Sequence, residues 1–161
     1  MATKTVFYSF HYKRDVNRVQ LVRNLNVLDG QPLLGAQEWE SKRNAGRKAI
    51  ENWIAQEMRY KRVVVVLIGQ ETAGREWVQY EIAKAWEERK PIVGIRIHGL
   101  SDFGTTDKPG SSPFDSFVGG WQIPVFDPTV TDWLGKIDSK ATYSELARNL
   151  ERWVGLAKAR P

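Results

Sequence analysis

A chain of 161 residues has room for one hydrophobic core and reads as a single domain over residues 1–161. Its 42% hydrophobic and 27% charged residues are the balance of a globular domain and argue against a disordered segment. The lack of cysteine, with His11 and His98 as the two histidines, excludes disulfides, thiolate metal sites and a histidine-rich metal centre. The net charge of +5 attracts anions, but it is scattered in short clusters such as Lys42-Arg43 and Lys61-Arg62, so nucleic acid is not an expected partner. The opening MATKTVFYSF has no basic stretch leading into an apolar one, and no signal peptide is expected. The longest apolar run, residues 63–68, is too short to span a bilayer, so no membrane partner is expected and the cytoplasm is the default location.

Residues 5–10 (TVFYSF) are β-branched and aromatic and predict a buried first strand. After a polar loop, Asp15 is placed to cap a helix whose apolar side carries Val16, Val19 and Val22. Asp29-Gly30 reads as a stop, residues 32–39 as a short second strand and residues 40–46 as a polar, basic loop. A second helix over residues 47–59 buries Ile50, Trp53, Ile54 and Met58. Residues 62–69 (RVVVVLIG) are an unbroken apolar run, the pattern of a strand covered on both faces in a parallel sheet.

A short loop and a third helix over residues 76–89 follow, then a strand at residues 91–98 (PIVGIRIH). Residues 100–120, rich in Gly, Ser, Pro and Asp, read as a long loop, and residues 123–126 as a last short strand. The final helix opens with Thr142-x-x-Glu145, a capping-box pattern. Strands alternating with helices in this way imply an α/β fold, a flavodoxin-like doubly wound parallel sheet of about five strands. Ligands of such sheets bind beyond the carboxyl ends of the strands, which points to the loops after Phe10, Trp39, Gly69 and His98.

Two segments carry more than fold class: residues 6–12 (VFYSFHY) and Trp77-x-x-x-Glu81 just after the central strand. Trp77 and Glu81 are four apart, so they share one helix face, with an aromatic beside a carboxylate. The aromatic–Ser–aromatic end of the first strand resembles the opening of TIR domains, and the W-x-x-x-E element resembles the catalytic helix of their NAD⁺-consuming members. Together with VVVVLIG and KPIVGIRIHG, these segments resemble the TIR-like ThsB proteins of the bacterial Thoeris anti-phage system over residues 4–100. Beyond residue 100 the resemblance fades.

The resemblance implies NAD⁺ as substrate rather than a resident cofactor, Glu81 as the catalytic carboxylate, and a cyclic or otherwise modified ADP-ribose as product. It also implies a homo-oligomer on activation, a phage-derived trigger and a separate effector protein reached by the diffusible product. The competing reading is a non-catalytic TIR-like adaptor acting by self-association, which has no need of a carboxylate in a strand-end pocket.

Around Glu81 the strand ends offer further candidates, each with a plain structural alternative. Ser9 either hydrogen-bonds ribose or phosphate or satisfies its own turn. Phe10 and Tyr12 stack on a base or pack in the core. His11 is a ligand contact or an exposed loop residue, and Trp39 walls the pocket or plugs the sheet edge. Lys42, Arg43 and Arg47 hold the pyrophosphate or stand as solvated charges. Gly69 allows substrate a close approach or merely turns the chain. No chemical role is expected of His98, and no metal site is expected.

Overall fold

The structure, a computed structural model, describes residues 4–117 and 119–161. Residues 1–3 and Val118, which falls in the expected long loop, lie outside them. Five strands form one sheet: β1 (Lys4–Ser9), β2 (Leu28–Gly30), β3 (Val63–Ile68), β4 (Ile92–Arg96) and β5 (Val125–Phe126). All pair in parallel, in the order β2-β1-β3-β4-β5, the doubly wound arrangement expected from the alternation of elements.

Five helices cover the sheet: α1 (Tyr12–Arg23), α2 (Ala36–Asn44), α3 (Arg47–Met58), α4 (Glu76–Glu87) and α5 (Ser139–Val154). Side chains alternate across each strand and divide the core in two. Val6, Tyr8, Val65 and Leu67 face α1 and α5, where they meet Val19, Val22, Leu146 and Leu150. Phe7, Val64, Val66 and Ile68 face α3 and α4, where they meet Ile50, Ile54, Val78 and Ile82. β3 is buried along its whole length because both layers close over it, which is why its six positions are all apolar.

The second strand and the segment after it differ from expectation. β2 occupies residues 28–30, so Asp29-Gly30 lies inside a strand rather than ending a helix, and residues 32–39 form no strand. Gly30 is a packing glycine: a Cβ there would stand 2.2 Å from the Tyr8 ring. The ladder on β1 is then completed by a side chain. The Gln31 amide accepts from the Tyr8 N–H (2.8 Å) and donates to the Tyr8 carbonyl (2.9 Å). Residues expected as a basic loop belong to α2, a helix with no buried residue and therefore no apolar stripe to reveal it.

Two helix starts are also corrected. α1 begins at Tyr12 with His11 as its N-cap, so Asp15 lies in the first turn, fully buried, and caps nothing. α5 begins at Ser139, capped by the Asp138 carboxylate, which accepts from the Ala141 N–H (3.0 Å). Thr142 is thus within the helix, and its hydroxyl donates to the Asp138 carbonyl (2.8 Å) instead of opening a capping box.

The long segment after β4 is strapped to α1 by one buried guanidinium. Arg18 donates to the Leu100 and Thr105 carbonyls, both at 2.9 Å, and pairs with Asp107 (3.0 Å) and Asp15 (3.3 Å). Burial pushes the Asp15 carboxyl up to about 6 against the pull of Arg18.

Candidate active site

β1 and β3 lie side by side, but the chain leaves β1 for α1 on one face and β3 for α4 on the other. The divergence opens a crevice beyond their carboxyl ends, the switch point of the sheet. A cleft of about 450 Å³ occupies it. Residues 10–13 after β1, residues 31–34 after β2, Trp39 and Arg43 of α2, Trp53 of α3 and residues 75–78 with Glu81 of α4 line the cleft.

Glu81 is placed by the packing of α4. Val78, Ile82 and Ala85 bury against the sheet, and Glu81 sits on the neighbouring face, one turn beyond Trp77. It is 7% exposed. The fully buried Ser9 hydroxyl, at the carboxyl end of β1, donates to Glu81 Oε1 at 2.6 Å. Burial pushes the Glu81 carboxyl up to about 8, with the Ser9 hydrogen bond pulling the other way. The protonated form of Glu81 is therefore favoured at neutral pH.

Aromatic rings make the walls. Phe10, Tyr12 and Trp39 follow one another with centroids 6.0 and 5.7 Å apart. The Tyr12 hydroxyl donates to the Leu34 carbonyl, tying the segment before α2 to the start of α1. On the α4 side, Trp77 meets Tyr80 edge-on at 5.3 Å and lies under the Arg47 guanidinium, 4.8 Å from its centroid. Arg47 also pairs with Glu76, so that carboxylate is neutralised.

The structure thus gathers Phe10, His11, Trp39, Trp77 and Glu81 around one cleft, with Ser9 behind Glu81. Trp39 reaches it from a helix rather than from the end of a strand. Lys42 and Gly69 lie outside the lining. Gly69 instead faces Asp15, whose carboxylate would stand 2.2 Å from a Cβ added there. Arg43 lines the cleft from α2, not from a loop, with its side chain exposed, whereas Arg47 is committed to Glu76 and Trp77. His98 lies beyond β4, buried, with Nε2 3.3 Å from the Thr129 hydroxyl and away from the cleft.

Lys13, Gln31 and Arg75 line the cleft without having been singled out in the sequence, and Trp53, expected in the buried stripe of its helix, is half-buried and lines it too. Lys13 and Arg75 stand next to predicted helix starts, and that proximity was the available signal. Among the described residues, no cluster of three or more His, Asp or Glu is placed to hold a metal ion, and no helix is long and apolar enough to cross a membrane.

A parallel doubly wound sheet with an aromatic-walled carboxyl cleft at its switch point defines the class: a TIR-like domain. The profile of the family described as "Thoeris protein ThsB, TIR-like domain" matches residues 7–102, from β1 to just past β4. The chain belongs to that family. A protein of Bacillus cereus (strain MSX-D12) named "Putative cyclic ADP-D-ribose synthase ThsB1" is 33% identical over 142 residues, which cover 81% of this chain and 73% of that protein.

Proposed function

We propose that this protein cleaves the nicotinamide–ribose bond of NAD⁺ and forms a cyclic ADP-ribose-type product, with Glu81 as the carboxylate that steadies the ribosyl cation. The observation that carries the reading is a buried glutamate, held by Ser9, at the floor of an aromatic cleft at the sheet's switch point. The name of the Bacillus cereus relative supports the cyclic product.

The chemistry follows from charge. The bond from C1′ to the nicotinamide nitrogen breaks with its electron pair going to the ring, so a cationic pyridinium leaves as neutral nicotinamide and needs no general acid. Positive charge then develops on the ribose, as in glycoside hydrolysis. A carboxylate in a low-dielectric cleft stabilises that charge far more than it would in water. Burial favours the protonated form of Glu81 before substrate binds, and the cation of the bound substrate favours its ionised form, so binding releases a proton. A hydroxyl or adenine nitrogen of the same molecule then attacks C1′ and sheds any proton it carried. Attack by water would give linear ADP-ribose.

Family membership supports the wider reading that the product is a diffusible signal for a separate effector, that a phage-derived trigger switches the enzyme on, and that activation involves homo-oligomers. The test is chromatography of NAD⁺ products from cells carrying wild-type protein or Glu81→Gln, with and without phage challenge. Wild type releases nicotinamide and a cyclic product. The variant loses on the order of 10²–10⁴ in rate. A folded variant with wild-type turnover sinks the proposal.

A further inference from the structure

Besides Glu81 and the aromatic rings, the cleft is lined by helix ends. The N-termini of α1 and α4 both open into the cavity through residues 11–13 and 75–78. Neither helix has a side-chain cap. The first backbone bonds are Asp15 N–H to the His11 carbonyl (2.9 Å) and Gln79 N–H to the Arg75 carbonyl (3.0 Å), so the N–H groups of residues 12–14 and 76–78 precede them. Each helix end adds roughly half a positive charge, and such ends bind phosphate.

Three side chains stand beside these helix ends. Lys13 and Arg75 are exposed at the lip and form no ion pair among the described residues. Glu76, the nearest acid in sequence, is already taken by Arg47. His11 is the second and independent sign of a ligand: its side chain is 7% exposed, lines the cleft and makes no hydrogen bond among the described residues. Burial, then the charge of Arg75, holds its pKa below the ordinary value against the pull of Glu71, so the ring is neutral at neutral pH. An unpartnered imidazole, two uncapped helix ends and two cations without an ion pair face one volume, and the nearby carboxylates of Glu71 and Glu76 are paired with Arg14 and Arg47.

We propose that the diphosphate bridge of the dinucleotide seats here, between the N-termini of α1 and α4, on Lys13, Arg75 and His11. The proposal rests on the reading of the cleft as a dinucleotide-cleaving site and adds the residues that hold the substrate's charge. The spacing suits it: from Glu76 to Glu81 the helix rises about 7–8 Å, the scale of one ribose and one phosphate. With the diphosphate on the helix ends, the ribose C1′ falls beside Glu81. The assignment departs from the sequence, where Lys42, Arg43 and Arg47 were the candidates. Lys42 is off the lining, Arg47 is spent on Glu76 and Trp77, and Arg43 sits across the cleft on α2 with Glu40 3.5 Å away.

The experiment measures binding of ADP-ribose and of inorganic pyrophosphate to the full chain by calorimetry, with adenosine and nicotinamide riboside as ligands that lack the diphosphate. Lys13→Ala and Arg75→Ala, at exposed positions, are compared with wild type and with Arg75→Lys. Each Ala variant is expected to weaken ADP-ribose about tenfold or more, to raise KM for NAD⁺ by a similar factor with little change in kcat, and to leave the diphosphate-free ligands unaffected. Arg75→Lys restores part of the loss. ADP-ribose affinity that survives both Ala substitutions overturns the proposal, as does a wild type that binds neither ADP-ribose nor pyrophosphate. Glu81→Gln separates the two ideas. If that variant turns over NAD⁺ normally, the catalytic reading fails. If it is inactive while the Ala variants bind ADP-ribose like wild type, only the diphosphate seat is wrong.

Discussion

Glu81 is a carboxylic acid kept out of water, and the energetic consequences can be read in both function and stability. Burial pushes its carboxyl up to about 8 before substrate binds. Since kcat/KM reports the free enzyme, its value for NAD⁺ is expected to rise with pH, approaching tenfold per unit on the acid side, and to level off above about 8. A flat profile from pH 5 to 9 contradicts the assignment. The stability effect has the opposite sign. The folded pKa lies above the unfolded value, so between about 4.5 and 8 the unfolded chain is ionised while the native acid holds its proton. Stability from this group is therefore complete below 4.5 and is lost as pH climbs to about 8. Glu81→Gln removes that loss. Its melting temperature relative to wild type should climb between pH 5 and pH 8, with a free-energy gain of roughly 2–4 kcal/mol at the upper end. Calorimetric melts at the two pH values test it.

At the scale of elements, legibility followed burial. β3 and β4 were readable because both faces are covered, which leaves an unbroken apolar run. α3, α4 and α5 were readable because each buries one stripe. β2 has three residues and α2 none buried, so neither had a period to detect. The candidate site divides in the same way. Trp77 and Glu81 are four apart on one helix and were visible as a pair. The contact between Ser9 and Glu81 joins residues 72 apart and needed the fold. The unpaired state of Lys13 and Arg75 was hidden too, because it depends on which acids the fold assigns to Arg47 and Arg14. A helix without buried residues is held by few contacts, and α2 rests on Trp39, which packs against Tyr12 and against the core layer on the α3 and α4 side. Trp39→Ala should speed limited proteolysis within residues 35–46 severalfold while moving the global melting temperature little. Equal cleavage rates would mean α2 is anchored elsewhere.

For the whole molecule, Arg18 is the buried anchor of residues 100–107, beside Asn17–Asp102 (2.9 Å) and Arg14–Asp107 (3.3 Å), while Gln79 and Arg96 hold the segment further on at Pro113 and Gly110. It is 2% exposed and binds two carbonyls and two carboxylates. Arg18→Met keeps the bulk but strands Asp15 in the core, with its Oδ2 already lacking a partner. The expected cost is about 3 kcal/mol, seen as a melting temperature lower by roughly 10 °C and as faster amide exchange over residues 100–107. A variant with native stability would mean that the segment is held by other contacts.

The Gln31 amide has a broader consequence. By occupying both hydrogen-bonding groups of Tyr8, it stands in for one more residue of the neighbouring strand. The backbone is thereby released from the ladder three residues into β2 and can swing aside over residues 31–34. Had pairing continued past Gly30, residues 31–34 would lie along β1 instead of lining the cleft. One amide group is the doorstop of the cleft: it satisfies the sheet's unfinished edge and keeps the entrance from being paved over.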